Sequence, residues 1–491
     1  MIFNLLTILP ELSLVLASIF MLIVGVFKEK KQKNAKPVSR AFSLGIYIAF
    51  GIFFFAYFYE IWVSHKFHGF SFDGLIASDR MTVIGKVLVL IAASLWIGLK
   101  TNSTHAAVLR AGIKVYEYPI LSLMVLVGAF LTIASNDFLI LFLALELQAL
   151  PLYIMITSRH ESQHSSEAGI KYFIFGSIAT AFVLFGAAFL YGYAGTTNFS
   201  PFANLLFFTS ESVYENMWLD IGFLFLMMGL MIKLAVFPFH SWSFDVYEGS
   251  ANVQVAFLIT VPKISIVFVL IRLMYGPFAQ LVPMIQPYIL WLCVASIVWG
   301  AVGAIKQQNI RRLLAYASVH NIGFILLPIS IGSFEGLQIS IEYLTVYTLS
   351  LIGFFIGVTS LHKDGMNIDK ISDLRGLWEH YPKIAILMTI CLFSFAGIPP
   401  LAGFWVKLHV FRELIKAGMI WPTIIIAFAS IVAVFYYLVV IRNIFFEKSE
   451  SKLSKDTIRF DILMIIGSIL ALYPLYQESL LRIIEYSLYT V

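Results

Sequence analysis

Residues 383–417 read KIAILMTICLFSFAGIPPLAGFWVKLHVFRELIKA, an apolar run that is too long for one straight transmembrane helix. At 1.5 Å per residue the run would extend about 50 Å, whereas the hydrocarbon core of a bilayer is about 30 Å thick. Pro399 and Pro400 remove two backbone donors near its middle, and Gly397 and Gly403 flank them. Broken helices are tolerated in a membrane only where the freed backbone groups line a polar cavity. The stretch therefore predicts a broken membrane helix beside such a cavity.

The composition of the whole chain is also typical of a membrane protein. Of its 491 residues, 60% are apolar and 12% are charged, and the mean hydropathy is +0.89. An average soluble chain carries about 25% charged residues, so a water-soluble enzyme is excluded. The two cysteines, Cys293 and Cys391, lie far apart inside apolar runs and cannot build an iron–sulfur, zinc or disulfide framework. No glycine-rich nucleotide loop follows a strand pattern, so we expect no cofactor in this chain.

Apolar runs separated by polar breaks predict an all-α polytopic membrane protein with about fourteen transmembrane helices. The first run contains Pro10 and Glu11 and no small-residue cleavage site, so we expect a retained helix rather than a signal peptide. The expected spans cover residues 5–26, 42–62, 81–99, 115–134, 137–156, 169–193, 219–237, 251–273, 287–305, 310–329, 338–361, 383–417, 421–441 and 460–485.

Lysine and arginine in the connections predict the orientation of these helices, because basic loops stay on the inner side. The first connection, residues 28–40, contains five lysines and one arginine, and the loops after every second helix are also basic. The intervening loops carry little positive charge, and residues 194–218 and 330–337 carry none. This alternation persists through all the expected spans and places both termini on the outer side.

A second interruption, Phe237-Pro238-Phe239-His240, ends the seventh span, five helices before the break in the twelfth. Because five is odd, helices 4–8 and 9–13 would form two repeats of opposite orientation, as in inverted-repeat transporters. Helices 7 and 12 would be the broken members of the two repeats. The expected domains are an N-terminal three-helix segment (residues 1–114), the first repeat (115–275), the second repeat (276–447) and a C-terminal loop with helix 14 (448–491).

Four ionisable residues lie deep in apolar runs: Glu146, Lys233, Lys263 and Lys407. A charge at the bilayer centre costs about 2.5–3.5 kcal/mol on insertion scales, so partners or water should surround each of them. The alternative for each lysine is that it reaches to the membrane interface, and for Glu146 that it makes a structural hydrogen bond between helices. A glutamate–lysine pair that can be made and broken changes the affinity of both groups for protons. We interpret the set as a proton path.

Other polar residues inside the spans carry weaker signals. His240 and His409 each lie near a helix break, and His320 lies in the tenth span. Neither His240 nor His409 has a second histidine or cysteine at ligand spacing, so a hydrogen-bonded structural histidine is favoured for both, with proton relay as the alternative. His320 could serve the same polar axis as the buried charges. Lys171 begins the sixth span beside a basic loop, so anchoring at the positively charged inner side explains its position. Glu342 in the eleventh span has no evident partner.

The run from Gly229 to Trp242, GLMIKLAVFPFHSW, is followed by Asp245-Val246-Tyr247-Glu248-Gly249. It resembles the seventh-helix motif of the subunit N family of bacterial NADH–quinone oxidoreductase, complex I, to which mitochondrial subunit 2 is related. The Lys–Pro–Phe–His–x–Trp core is shared with sister antiporter-like subunits and multisubunit sodium/proton antiporters, whereas the Tyr247-Glu248-Gly249 continuation favours subunit N. Supporting matches within residues 115–445 are Asn136-Asp137, Glu146-Leu147, Leu150-Pro151-Leu152-Tyr153, Lys171-Tyr172-Phe173, Asn309, Arg312-Leu313-Leu314-Ala315-Tyr316, Ala396-Gly397-Ile398-Pro399-Pro400, Gly403-Phe404 and Lys407.

The resemblance implies a role for each buried charge. Glu146 and Lys233 would form the coupled pair, Lys263 the central relay and Lys407 the exit-side group. NADH oxidation and quinone reduction would belong to other subunits, which would hold the NAD, FMN, iron–sulfur clusters and quinone. The expected partners are protons, the lipid bilayer and other membrane-arm subunits of complex I, including the sister antiporter-like subunits, and no nucleic acid. The expected location is the bacterial inner (plasma) membrane, crossed many times, with both termini periplasmic.

The chain departs from the family pattern at three places. Phe244 stands where the family usually has proline, and Ser250-Ala251-Asn252 stand where it has Ala-Pro-Thr. Asn321 occupies the position of the family's tenth-helix histidine, and His320 is displaced by one residue, which turns a side chain by about 100° around a helix. We therefore do not carry the relay role over to His320.

Two other functions remain as alternatives. The chain could be a subunit of a multisubunit cation/proton antiporter, a transporter without redox coupling. A purely structural bundle would leave four charges at mid-membrane unexplained.

Overall fold

The architecture comes from a computed structural model, which describes residues 7–29, 51, 69–98, 117–157, 162–208, 216–363, 366–448, 453–455 and 460–488. Within these ranges nine helices are long and apolar enough to cross a membrane, or up to ten if a bent C-terminal pair forms one span. The chain is thus a predominantly helical polytopic membrane protein. The expected second span, residues 42–62, lies outside the described residues except for Gly51.

The described N-terminal part consists of three long helices and a short antiparallel hairpin, with the first helix packed on the third. Ser71 and Ile76 pair at the turn end of this hairpin. The elements are α1 (Leu9–Glu29), β1 (Gly69–Ser71), β2 (Ile76–Ser78), α2 (Arg80–Gly98) and α3 (Glu117–Ala134).

The next group of helices contains the first predicted break. Polar side chains start its helices: Asp137 accepts hydrogen bonds from the amides of Leu139 and Ile140, and Asn216 caps the fourth helix of the group in the same way. Gly195 ends the long second helix in a left-handed conformation. The elements are α4 (Phe138–Ile156), α5 (Gln163–Ala194), α6 (Phe199–Phe208), α7 (Met217–Leu234), α8 (Ser241–Gly249) and α9 (Asn252–Tyr275).

The remaining helices contain the second break and the C-terminal pair. Between them lies a small sheet in which β3 pairs antiparallel with both β4 and β5. The elements are α10 (Val282–Ala304), α11 (Ile310–Ile331), α12 (Phe334–Thr359), β3 (Leu361–Lys363), β4 (Met366–Asn367), α13 (Leu377–His380), α14 (Pro382–Ala396), α15 (Ala402–Lys416), α16 (Ile420–Phe445), β5 (Leu453–Lys455), α17 (Phe460–Ala471) and α18 (Tyr473–Leu488), with short 3₁₀ turns at Ala279–Leu281 and Ile371–Leu374.

Three helices form the interior of the bundle. The most apolar stretch of α9 is completely buried, and 89% of the corresponding stretches of α11 and α12 is buried. In contrast, α5 and α16 bury only 39% of theirs. Apolar side chains on these two helices therefore point out of the bundle, as expected for surfaces that meet lipid or other proteins.

The seventh span ends earlier than predicted. α7 stops at Leu234 because Ala235 adopts a left-handed conformation (φ 58°), and the predicted end was residue 237. The short helix α8, which the apolar pattern did not indicate because its residues are mixed in polarity, then continues the chain.

The last predicted span, residues 460–485, is not a straight helix. α17 and α18 meet at Leu472 with a bend of 84°. Pro474 lies in the first turn of α18 and has no amide to continue the hydrogen bonds of α17, which explains why the helix cannot run through.

The predicted break in the twelfth span is confirmed. α14 ends at Ala396, Gly397 takes a left-handed conformation (φ +81°), and α15 begins at Ala402. Gly403 lies so close to α14 that a Cβ atom there would sit 1.6 Å from the carbonyl oxygen of Ser394. The two half-helices can approach this closely only because residue 403 is glycine.

A largely buried ion pair fastens the N-terminal helices to the interior. Two guanidinium nitrogens of Arg272 on α9 lie 2.7 and 3.0 Å from the carboxylate of Asp79, and Arg272 also donates to the Thr82 hydroxyl. Burial alone would raise the pKa of the Asp79 carboxyl, but the charge and hydrogen bonds of Arg272 and the bonds from Thr82 outweigh it and lower that pKa. The stabilisation is therefore present above the ordinary pKa and is lost only as the pH falls through the lowered one.

We expect Asp79→Asn to destabilise the chain by about 3 kcal/mol, because Arg272 is then left buried without its counter-charge. The thermal unfolding midpoint of the purified chain in detergent measures this loss. Lys416→Gln is a matched control, since the Lys416–Glu335 pair is exposed and screened by solvent and should contribute little to stability. Equal midpoints for the two variants would contradict the anchoring role of Asp79.

Candidate functional site

Two hydrogen bonds fix the break between α7 and α8, one between these two helices and one to α10. The Trp242 indole donates to the carbonyl of Ile232 (2.9 Å), and the Phe237 amide donates to the hydroxyl of Ser296 on α10 (3.0 Å). Lys233 occupies the last turn of α7 and is half-buried. The break thus places a lysine at a helix end whose regular hydrogen bonding has stopped.

A cavity of about 30 Å³ lies beside Lys233, and its lining includes Gln148, Tyr153, Tyr172 and Trp242. A space of this size accommodates about one or two water molecules. The Gln148 amide donates to the hydroxyl of Ser265 on α9 (3.0 Å), so polar contacts continue from the cavity into the bundle.

Glu146 lies at the middle of α4 and is half-buried. Its charge interacts with Lys233 and with Tyr153 and Tyr172 of the cavity lining. Its Oε1 atom, however, is buried without a hydrogen-bond partner among the described residues. The structure therefore brings Glu146 and Lys233 into the same region without joining them in direct contact.

Lys263 lies on the buried helix α9 and is only 2% exposed. Its ammonium donates to the hydroxyl of Ser318 on α11 at 2.5 Å. Tyr247 on α8 and Tyr347 on α12 are also buried, and neither phenol oxygen has a hydrogen-bond partner among the residues that the structure describes. The hydrogen bond between Lys263 and Ser318 thus joins α9 to α11 in the interior of the bundle.

Polar contacts continue from this point along α11. The Tyr343 hydroxyl donates to the side-chain oxygen of Asn321 (2.9 Å), and the Asn321 amide donates to the carbonyl of Ala317 (2.7 Å). Asn321, which replaces the family's usual histidine, therefore holds a tyrosine of α12 in place. A side-chain amide neither gains nor loses a proton near neutral pH, so Asn321 cannot act as a histidine does in proton relay.

Lys407 lies just beyond the second break and is 5% exposed. Its ammonium donates to the carbonyl oxygens of Phe395 (2.9 Å) and Ala396 (3.1 Å), which the end of α14 leaves without helical partners. It also lies 5.5 Å from the centre of the Phe324 ring, within cation–π range. The broken helix therefore supplies the partners that a buried lysine requires.

His320 is completely buried and faces the region of Lys407, with whose charge it interacts. Its Nδ1 atom lies 2.9 Å from the carbonyl of Ile297, a contact that assigns the ring hydrogen to Nδ1. Its Nε2 atom is buried and has no partner within the described ranges. His320 thus lies near Lys407, although the one-residue displacement from the family motif had kept it out of the predicted site.

The family described as "NADH:quinone oxidoreductase/Mrp antiporter, TM" matches residues 135–435. NADH-quinone oxidoreductase subunit N of Paramagnetospirillum magneticum is 35% identical over 92% of this chain and 90% of its own. The chain belongs to the subunit N family of NADH–quinone oxidoreductase. A second subunit N, from Pelagibacter ubique, is 33% identical over 98% of both chains. The predicted resemblance is confirmed, and with it the expectation that the chain is a subunit of this enzyme.

Solved structures give the same fold. A chain of respiratory complex I from Thermus thermophilus is 26% identical, with a TM-score of 0.76 over 96% of this chain and 98% of that one. A chain of the Mrp complex from a Dietzia species is 18% identical, with a TM-score of 0.81 over 99% and 97%. The fold is therefore shared by subunits of redox complexes and of antiporters, and it does not by itself separate the two.

The Tyr247-Glu248-Gly249 continuation that favoured the subunit N family has a structural explanation. Glu248 accepts a hydrogen bond from Arg312 on α11 (2.7 Å), while Tyr247 is completely buried. A Cβ atom on Gly249 would lie 2.5 Å from the carbonyl oxygen of His164 on α5. The motif therefore fixes α8 against two neighbouring helices at once.

Two single charges have partners that the sequence did not indicate. Lys171 is not only an interfacial anchor, because its ammonium lies 2.6 Å from Asp245 on α8 and 2.7 Å from Glu167. Glu342 has partners: it is fully buried, lies 2.9 Å from Nδ1 of His409, and accepts a hydrogen bond from Tyr473. These partners come from other helices, so no spacing within the eleventh span could indicate them.

Sequence reasoning also missed a buried charge pair. Lys86 on α2 lies 2.8 Å from Glu11 on α1, and both side chains are almost completely buried. Each is the kind of charge inside an apolar run that identified Glu146, so the same signal was available. The two charges neutralise each other, and both lie in the N-terminal helices rather than at either helix break.

The groups assembled here are ammonium, carboxylate, imidazole and hydroxyl side chains. In the part of the chain that the structure describes, no group of three or more histidine, cysteine, aspartate or glutamate side chains could hold a metal ion. Such side chains bind, hold and pass protons.

Proposed function

We propose that this chain is the antiporter-like proton-translocating membrane subunit of complex I. Protons would move along Glu146, Lys233, Lys263 and Lys407, driven by quinone reduction in other subunits. The observation that carries the proposal is the position of the three lysines: one at each helix break and one, hydrogen-bonded to Ser318, in the interior between them. A structural bundle has no need of three lysines in such places, since each is costly in a membrane.

Each group has a distinct role in this path. Glu146 and Lys233 interact through their charges beside a cavity that admits water, so a proton can reach Lys233 from there. Lys263 passes it through the interior, and Lys407 receives it next to the carbonyls of Phe395 and Ala396. Moving one proton outward against 100 mV requires about 2.3 kcal/mol, so the transfer must be coupled to a driven change elsewhere in the complex.

The arrangement in the membrane is part of the same proposal. The broken pairs α7–α8 and α14–α15 would occupy equivalent places in two inverted five-helix repeats, residues 115–275 and 276–447, within fourteen spans. Both termini would lie on the periplasmic side of the bacterial inner membrane. The exposed apolar faces of α5 and α16 would meet lipid and other membrane-arm subunits, including the sister antiporter-like subunits. NAD, FMN, iron–sulfur clusters and quinone would be bound by other subunits.

Lys263→Ala tests the central step. We expect the variant complex to assemble, because alanine fits the space, and to lose proton translocation about tenfold, which corresponds to roughly 1.4 kcal/mol of added barrier. The measurement is NADH-driven acidification of vesicles containing the reconstituted complex, normalised to assembled enzyme. Lys306→Ala is the matched control, since Lys306 is exposed. Wild-type acidification by the Lys263→Ala complex would place the central relay elsewhere.

A further inference from the structure

A second group of ionisable side chains lies beyond the break between α14 and α15, and the path proposed above does not use it. Glu342 on α12 is completely buried, and its Oε2 and Oε1 atoms lie 2.9 and 3.1 Å from Nδ1 of His409 on α15. Tyr473 at the start of α18 donates its hydroxyl hydrogen to the same carboxylate. Three helices thus contribute one carboxylate, one imidazole and one phenol to a single cluster.

The carboxylate determines which nitrogen of His409 is free to exchange a proton. An ionised carboxylate only accepts hydrogen bonds, so the contact with Glu342 assigns the ring hydrogen to Nδ1 and leaves Nε2 as the basic nitrogen. A carboxylate behind an imidazole also stabilises the imidazolium that forms when Nε2 takes up a proton, as in Ser-His-Asp triads. Glu342 is buried, whereas 20% of the His409 side chain is exposed. The ring therefore reaches from the buried carboxylate to the surface of the bundle.

His409 lies in the half of the second repeat that leads to the proposed outer side. It follows the first residue of α15, Ala402, by seven positions and precedes the last, Lys416, by seven, so it lies about 10 Å from either end of this half-helix. Lys407 comes two positions earlier, beside the break, and Lys416 pairs with Glu335 at the exposed end. The imidazole thus lies between the lysine at the break and the exposed end of α15.

The other ionisable groups near His409 on its own helix are engaged elsewhere or exposed. Glu413, one turn later, accepts a hydrogen bond from the Ser333 hydroxyl (2.6 Å), and Arg412 is exposed. The Lys407 ammonium is bound to the carbonyls at the end of α14. Among the residues that the structure describes, the charged group in hydrogen-bond contact with the imidazole is thus the buried carboxylate on α12.

Building on the proton path proposed above, we infer that His409, oriented by Glu342, is a further proton-binding group of this subunit, between Lys407 and the outer side. A hydronium ion gives one proton to Nε2, and the neutral imidazole becomes imidazolium while Nδ1 keeps its hydrogen bond to the carboxylate. The cluster thereby changes from one negative charge to none. Water on the outer side then takes the proton from Nε2, which restores the neutral ring, and Tyr473 keeps its own hydrogen throughout.

His409→Gln separates proton binding from packing. Glutamine can donate a hydrogen bond to Glu342 but takes up no proton near neutral pH. We expect the complete reconstituted complex to assemble normally and to lose NADH-driven acidification about tenfold, which is less than a positioned acid–base group usually contributes because only proton release is slowed. A purely structural bond predicts wild-type acidification. His164→Gln is the matched control, since His164 is exposed on α5 and should leave acidification unchanged.

Glu342→Gln and Tyr473→Phe test the two groups behind the ring. Glutamine keeps the size of the side chain, but it no longer assigns the ring hydrogen to Nδ1 and gives the imidazolium no counter-charge, so we expect a several-fold loss of acidification per assembled complex. Tyr473→Phe removes one hydrogen bond and leaves the charge, so its loss should be smaller. If the cluster only ties α15 to its neighbours, the amount of assembled complex falls instead, and acidification per assembled complex does not.

Rescue by free imidazole gives a measurement that a packing role would not change. His409→Ala leaves a gap at a partly exposed position, where imidazole from the medium can take up and release the proton. Because imidazole also buffers the vesicle interior, NADH-driven quinone reduction is measured, since in a coupled enzyme it waits for proton movement. We expect imidazole to raise the rate of His409→Ala several-fold and to leave the wild type unchanged. An assembled but slow His409→Ala complex that imidazole does not accelerate would contradict the inference.

The outcomes separate this inference from the function on which it rests. If Lys263→Ala loses acidification while His409→Gln and Glu342→Gln keep it, the proposed path stands and the site at His409 is overturned. If Lys263→Ala pumps normally and His409→Gln does not, the central step of the path is wrong and the site at His409 stands. Should the His409→Gln complex fail to assemble, Glu342→Gln decides: a loss per assembled complex supports the site, and wild-type acidification overturns it.

Discussion

Gly403→Ala is expected to remove most of the proton translocation of the assembled complex. A Cβ atom at this position would lie 1.6 Å from the carbonyl oxygen of Ser394, whereas real Cβ atoms essentially never come within 3.0 Å of another heavy atom. The obstacle is backbone, so α14 and α15 would have to separate. Overpacking of this kind costs about 1–3 kcal/mol and occasionally more. Lys407 lies one turn after Gly403, so the same shift would draw its ammonium away from Phe395 and Ala396.

Vesicle acidification normalised to assembled complex measures the effect, and the amount of assembled complex reports how far folding is impaired. Gly192→Ala on α5 is the matched control, because the nearest atom to a Cβ there is 4.0 Å away. That control should equal the wild type, since alanine is favoured over glycine inside a helix. Normal acidification in Gly403→Ala would mean that the close approach of α14 and α15 has no bearing on proton transfer.

Glu146→Gln is expected to lower quinone reduction and acidification together, by roughly tenfold, the effect of about 1.4 kcal/mol. Glutamine keeps the size of the side chain and removes the charge with which Lys233 interacts. Because electron flow in a coupled enzyme waits for proton movement, both rates should fall in parallel. Glu335→Gln on α12 is the matched control, as its side chain is 58% exposed. Quinone reduction that continues at full rate while acidification is lost would show that Glu146 is not on the coupled path.

The same variant separates the complex I function from the antiporter alternative. The purified chain alone should show no sodium-driven proton exchange, because its driving force would come from redox chemistry in other subunits. Robust sodium/proton exchange by the isolated chain, abolished by Glu146→Gln, would overturn the proposed redox-driven translocation and favour cation/proton antiport.

The helix breaks were predictable because their causes are local. Pro399 and Pro400 lack amide hydrogens wherever they occur, and Gly397 takes a conformation that other residues avoid. The buried lysines were predictable for a related reason, since a charge inside an apolar run is costly in any membrane fold. The bend before Pro474 belongs to the same class of signal, and was missed because its immediate neighbours, residues 469–476, are apolar.

The partners of the buried charges were not predictable, because they depend on which helices become neighbours. Glu342 meets His409 and Tyr473, which are 67 and 131 residues away in sequence. Ser318 meets Lys263 across 55 residues. A lone serine on an apolar helix carries no signal of its own, so its position at the centre of the line emerged only from the fold.

The contact between Lys407 and the end of α14 makes this lysine part of a helix terminus. The last carbonyls of a helix carry partial negative charge, and a cation beside them is stabilised by the helix dipole. Lys407 in its charged form therefore acts as a C-terminal cap for α14, donating to Phe395 and Ala396. When Lys407 gives up its proton, that cap weakens and the end of α14 is held less firmly. Protonation of Lys407 and the stability of the end of α14 are then coupled. A displacement of either half-helix that weakens these hydrogen bonds also lowers the affinity of Lys407 for its proton.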